Sequence, residues 1–195
     1  MQQPVVENAQ LSAYLNSLMK KIAKRYGVTD PPRVVVADTP FAQGMTDYSN
    51  VYISRGMLYA IGNEAQLVAL LAHEFGHIRL HHDEEPASGD SDAVASVVGS
   101  ITGSSIAERE TYDVVAAQFE QKKETAADEF GAKTARDLGY NPYQFANLFE
   151  TLWKQSGLGT IATIKALKDT HKTLKGRAES IKAYLKRQGF ANTGN

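Results

Sequence analysis

Leu11, Leu15, Leu18, Ile22 and Tyr26 recur three or four residues apart, which predicts an amphipathic helix that stops at Gly27. Pro31 and Pro32 break the pattern, and Arg33-Val34-Val35-Val36-Ala37 then reads as a short strand of β-branched residues. After a polar turn region, Asn50-Val51-Tyr52-Ile53-Ser54 reads as a second strand, paired with the first or lying at an edge. Asn63 is placed to cap the next helix, with Gln66 at the capping-box position, and that helix continues to about residue 82. A long helix is predicted over about 108–138, ended by Gly139. Asn141 caps another with Pro142 at its first position, and Phe145, Leu148, Phe149, Leu152 and Trp153 form its buried stripe. A last helix over about 174–188 buries Ala178, Ile181, Tyr184 and Leu185, and the final GFANTGN reads as a frayed tail.

These elements give an α+β fold, mainly helical, with a small sheet beside the helix capped by Asn63. A length of 195 residues fits a single domain. Between the helices, DEEPASGDSDAVASVVGSITGSS is acidic at first and then small, Ser- and Gly-rich and partly apolar. The segment 83–107 reads either as a mobile loop that can act as a lid or as a surface loop without a role.

Composition narrows the chemistry. The formal net charge of −1 argues against a surface dedicated to nucleic acid or anionic lipid. With no cysteine, any metal must be held by His, Asp or Glu. No apolar run approaches the roughly 18 residues of a membrane span, and MQQPVVENAQ lacks the layout of a signal peptide. Those features fit a cytoplasmic protein or the mature form of an exported one.

The helix capped by Asn63 carries HEFGH, residues 73–77. Positions four apart on a helix share a face, so His73 and His77 can direct two imidazoles at one ion. Glu74 is turned away from that pair and can instead reach a water held by the metal, acting as general base and then as proton donor to the leaving amine. The ordinary alternative is a helix whose histidines bond backbone or water. Against it, the flanks Leu67, Val68, Leu70, Leu71, Phe75 and Ile78 bury the helix, and a buried His–Glu–His set needs something to satisfy it. Gly76 also costs the helix about 1 kcal/mol relative to alanine. It is easier to understand if substrate or neighbouring backbone comes close there.

Catalytic zinc generally takes three protein ligands and keeps an open position. The extended motif H-E-x-x-H-x-x-G-x-x-H is excluded, because Leu80 stands where its glycine belongs and Asp83 where its third histidine belongs. The long helix offers Glu108, Glu110, Glu120, Glu124 and Glu129 instead. Glu124 is singled out because Asp128 lies one turn later on the same face, with Ala126 and Ala127 between them to admit a close helix. Glu124 then serves as third ligand, and Asp128 accepts the spare N–H of His73 or His77 and fixes its orientation. Glu120 and Glu129 fit exposed acids paired with lysines such as Lys122 or Lys123.

HEFGH followed by E-x-x-A-D at 124–128 resembles the M48 peptidases, the group that includes the Ste24, HtpX and Oma1-type zinc metalloproteases. "YISRGML" is similar to the family's strand leading to an R-G-L-L turn, and "NEAQLVALLAHEFGH" to its E-L-A-x-V-L-A-H-E-x-x-H. "ETAADEFGAKTARDLGYNP" resembles E-x-x-A-D with a following G-Y-x-P turn, and "THKTLKGRAESI" the T-H-P-x-x-x-x-R-I segment. The resemblance implies a gluzincin-type zincin fold and one Zn2+ per chain. It also implies a soluble, minimal peptidase domain that hydrolyses internal bonds of unfolded or extended polypeptides. By it, His171 stabilises the oxyanion, Arg177 braces the carboxylates of the zinc site, and the protein works in the periplasm or cell envelope, in protein quality control. The same layout also allows a latent or chaperone-like zinc module with weak proteolysis, held back by the 83–107 segment or by His171. Two departures stand out: PFAQGMTDYS replaces the family's Asn-Ala pair on the substrate strand, and Lys172 replaces the proline after His171.

Overall fold

The computed structural model describes residues 4–47, 49–81, 105–156 and 174–192, with backbone alone over 105–120. Helix α1 (Ala9–Arg25) starts where the Asn8 side chain accepts the Leu11 N–H at 2.9 Å, and it buries Leu15, Leu18, Met19, Ile22 and Ala23 along one face. Strand β1 (Arg33–Ala37) follows the proline pair as predicted. A three-residue strand β2 (Gly44–Thr46) lies within what reads as a polar turn region. Strand β3 (Asn50–Ser54) pairs with both, parallel to β1 and antiparallel to β2, so it is the centre of the sheet rather than an edge.

The outer edge of β1 is covered. The Asn16 carboxamide on α1 donates to the Val34 carbonyl at 3.2 Å and accepts the Val34 N–H at 3.0 Å, acting as a one-residue strand. Val6 donates to the Val36 carbonyl and Asp38 to the Pro4 carbonyl, so the N-terminal segment occupies the rest of that edge. On the opposite side, no strand is paired to β2 among the described residues.

Ser54 ends β3 and caps a short helix α2 (Arg55–Ala60), its hydroxyl accepting the Met57 N–H at 3.0 Å. Helix α3 (Glu64–Arg79) is capped by Asn63, which accepts the Gln66 N–H. The Gln66 side chain reaches back one residue further than a capping box, accepting from Gly62 at 2.7 Å. Every residue from Gln66 to Gly76 is buried, so α3 is the central helix, enclosed on all sides. Helix α4 (Ser105–Asp137) crosses it, starting a few residues before the predicted boundary. Helices α5 (Tyr143–Ser156) and α6 (Leu174–Arg187) complete the packing.

Phe145, Leu148, Phe149 and Leu152 of α5 are buried as predicted, but Trp153 is 47% exposed. One position past Leu152, it has rotated off the stripe, and the Lys175 ammonium lies 5.6 Å from its ring. Tyr184 is only half-buried, while Phe190, in the supposed frayed tail, packs against the core with the Arg136 guanidinium over its ring. The observed architecture is α+β, mainly helical, with a small three-stranded sheet. No described helix is long and apolar enough to cross a membrane.

Candidate metal centre

His73 and His77 stand one turn apart on α3, and their Nε2 atoms face each other at 3.1 Å. Helix α4 brings in Glu124, with Oε1 3.3 Å from His77 Nε2 and Oε2 3.7 Å from His73 Nε2. One ligand atom from each residue lies within 4.8 Å of the others. An ion held tetrahedrally by bonds of about 2.0–2.2 Å needs its ligand atoms roughly 3.3–3.5 Å apart. The distances of 3.1, 3.3 and 3.7 Å bracket that spacing, so the three side chains could hold such an ion.

Close approach of two helices makes this possible. Ala127 is fully buried. One turn on, a Cβ at Gly131 would lie 2.7 Å from the Ala69 carbonyl oxygen and 3.2 Å from His73 Cβ, so only glycine allows the contact. The motif glycine also serves this packing, because a Cβ at Gly76 would meet the Phe130 ring at 3.1 Å. The neighbour of Gly76 is therefore a side chain, not the substrate or backbone expected from sequence. Gly131 was not anticipated, although Ala127 and Gly131 repeat at helical spacing.

Asp128 and Arg177 close the site from behind. Asp128 Oδ1 is 3.1 Å from His73 Nδ1, at the right distance but without the alignment of a full hydrogen bond. Arg177 of α6 donates through Nε to Asp128 Oδ2 at 3.0 Å and through Nη2 to Oδ1, while Nη1 lies 3.1 Å from Glu124 Oε2. Its guanidinium stacks 4.2 Å over the Phe149 ring. Although Lys175 and Glu179 on the same helix are exposed, Arg177 is buried at 9% exposure.

Glu74 is 5% exposed and points to the sheet, its carboxylate lying against Gly44 of β2. Burial raises its pKa, outweighing the pull of His73 and His77. Burial also pushes Glu124 and Asp128 upward, but other contacts win. The His77 hydrogen bond and Arg177 charge hold Glu124 well below the usual carboxylate range, and Arg177 with His73 does the same for Asp128. Burial would lower His77, yet its hydrogen bond to Glu124 and the charge of Glu74 leave it raised. Two carboxylates, Glu124 and Asp128, thus share one guanidinium, and with neutral imidazoles they leave one uncompensated negative charge, to which Glu74 adds when it is ionised. A divalent cation would supply the missing charge, and the all-His/Glu donor set fits zinc.

Sequence reasoning named His73, Glu74, His77, Glu124, Asp128 and Arg177; the side chains of His73, His77, Glu124, Asp128 and Arg177 converge, and Glu74 lies against Gly44 beside them. Glu129 is turned away and pairs with Arg187 at 3.4 Å. The side chains of Glu108, Glu110 and Glu120, together with His171, Lys172 and most of the 83–107 segment, lie outside the described residues. A family model described as Peptidase family M48 matches residues 9–185. No curated protein matches the chain.

Proposed function

The chain belongs to peptidase family M48, a family of metal-dependent peptidases, and from that premise we propose that residues 1–195 form one gluzincin-type, zinc-dependent endopeptidase domain. The observation that carries the zinc assignment is the convergence of His73, His77 and Glu124 within 4.8 Å, with Glu74 close enough to feel the charge of all three. Zinc, one ion per chain, would supply Lewis acidity, polarising the scissile carbonyl and making water acidic enough to lose a proton near neutral pH.

The chain's own residues do the rest. Glu74 takes the proton of the attacking water and returns it to the leaving amine. Asp128 holds His73 in the orientation that presents Nε2, and Arg177 fixes both Asp128 and Glu124. His171 is assigned to the oxyanion on the family resemblance alone, as is a role in protein quality control in the periplasm or cell envelope.

An unfolded polypeptide is the substrate class favoured by the sheet. The hydrogen bonds Ser54 N–H to Gln43 and Asp47 N–H to Asn50, with Met45 opposite Tyr52, place the inward-bonded positions of β2 at 43, 45 and 47. By alternation, the backbone groups of Gly44 and Thr46 face outward, next to Glu74, where an extended chain can add as another strand. Purified protein is expected to cut an unfolded protein such as casein at internal bonds. A chelator should stop cleavage and zinc should restore it. Cleavage untouched by chelation, or only single residues released from chain ends, would overturn the proposal.

Two further results are expected. Asp128→Asn should weaken zinc about 10–100-fold in a chelator competition titration, because the carboxylate behind a ligand imidazole becomes a neutral, weaker acceptor. The same change should lower Tm, since it takes a charge from the buried Arg177. Zinc affinity should also fall as the pH drops through the raised pKa of His77, because its proton must leave before the nitrogen can bind metal. The sign follows from the raised value: the metal-free fold gains from protonated His77 at low pH, and that gain disappears as pH rises. The zinc-induced rise in Tm is therefore expected to be larger at pH 8 than at pH 6.

A further inference from the structure

Gly44 has no conformational reason to be glycine. Its φ is not positive, unlike those of Gly27, Gly139 and Gly189, so any L-residue could adopt its backbone shape. What stands in the way is space: a Cβ built there would lie 2.2 Å from Glu74 Oε1, 3.0 Å from its Cδ and 3.6 Å from its Cγ. The first distance is far inside van der Waals contact. The crowded atoms belong to a side chain enclosed at 5% exposure, so the carboxylate has little room to retreat. A strand glycine otherwise weakens its strand, and it commonly marks a close approach by another group.

We propose that Gly44 is a positioning residue for Glu74: the missing side chain on β2 is the socket that holds the carboxylate between the sheet edge and the metal centre. Gly44 thus has two faces. Its backbone looks outward to where an extended polypeptide adds, and its Cα looks inward to the carboxylate that serves that polypeptide. The substrate strand and the base are registered to each other through one residue. The catalytic side of this inference rests on the endopeptidase proposal, but the steric side does not.

The test combines Gly44→Ala with changes at Glu74. In the zinc-loaded protein, Gly44→Ala is expected to lower kcat on the order of 100-fold, the cost of misplacing a catalytic group by about 1 Å. Zinc content should stay at the wild-type level and KM should change much less than kcat. Glu74→Asp, shorter by one methylene, should lose less activity from Gly44→Ala than Glu74 does. Melting gives a readout independent of turnover. Gly44→Ala should lower Tm on the order of 5 °C in the wild-type background and less than about 1 °C in a Glu74→Ala background, where the socket is empty. Met45→Ala, on the same strand but the opposite face, should shift Tm equally in both backgrounds. Equal losses of Tm from Gly44→Ala with and without the Glu74 side chain would overturn the socket, as would wild-type kcat in Gly44→Ala. Should the wild type cut nothing, the endopeptidase proposal fails, and the melting comparison alone decides the role of Gly44.

Discussion

Replacing Glu74 with glutamine is expected to leave zinc bound and to remove proteolysis. Glutamine keeps the length and shape that fit against Gly44, but its amide cannot accept the proton of the attacking water. A positioned general base contributes about 10²–10⁴-fold, so turnover should fall by at least that range while zinc content stays at one ion per chain. Stability should move the other way. Burial raises the Glu74 pKa in the fold, so above the ordinary carboxylate range the ionised group opposes folding, and that penalty is absent at low pH where it is protonated. Metal-free Glu74→Gln should therefore melt no lower than the metal-free wild type at pH 8. Kinetics, metal analysis and melting on one preparation check all three parts. Proteolysis retained within tenfold would remove Glu74 from its role.

Glu124→Ala is expected to act on the metal rather than on the chemistry. It deletes one of three ligands, so the loss of zinc affinity should exceed the roughly 10–100-fold assigned to changes behind the ligands. Activity should fall with occupancy. The Arg177 guanidinium keeps both contacts to Asp128, so the fold should survive better than it does in Asp128→Asn. Saturating zinc should restore part of the activity of Glu124→Ala and none of that of Glu74→Gln. That contrast separates a ligand from a base. Equal zinc affinity in wild type and Glu124→Ala would exclude the carboxylate as a ligand.

What the sequence disclosed follows from how each residue is held. The two histidines and Glu74 are fixed by the period of one helix, so their geometry is local and HEFGH announces it. Glu124 and Asp128 sit about fifty residues away, yet their own helical spacing and the alanines between them were enough to choose them. Strands β1 and β3 appear with their predicted ends because runs such as Val34-Val35-Val36 have few other uses.

Other features depend on tertiary contacts that no local pattern records. Strand β2 has three residues, one of them glycine, and exists because β3 offers it hydrogen bonds. Helix α2 is six residues long, short enough that its Ser54 cap and the packing of Met57 and Ala60 decide it. Arg177 is tied to the site by the family resemblance and not by any local pattern, because its partners are two carboxylates of α4 and a ring of α5. The demands on Gly44 and Gly131 come from atoms of α3 that are distant in sequence, so both positions carry spatial information invisible to periodicity.

The most direct test of the metal centre is an anomalous difference map recorded at the zinc edge from crystals of the zinc-loaded protein. One peak is expected per chain, about 2.0–2.2 Å from His73 Nε2, His77 Nε2 and a Glu124 carboxylate oxygen, with solvent in the remaining position. A map with no peak among these three side chains, or with a fourth amino-acid ligand closing the ion, would contradict a catalytic zinc at this site.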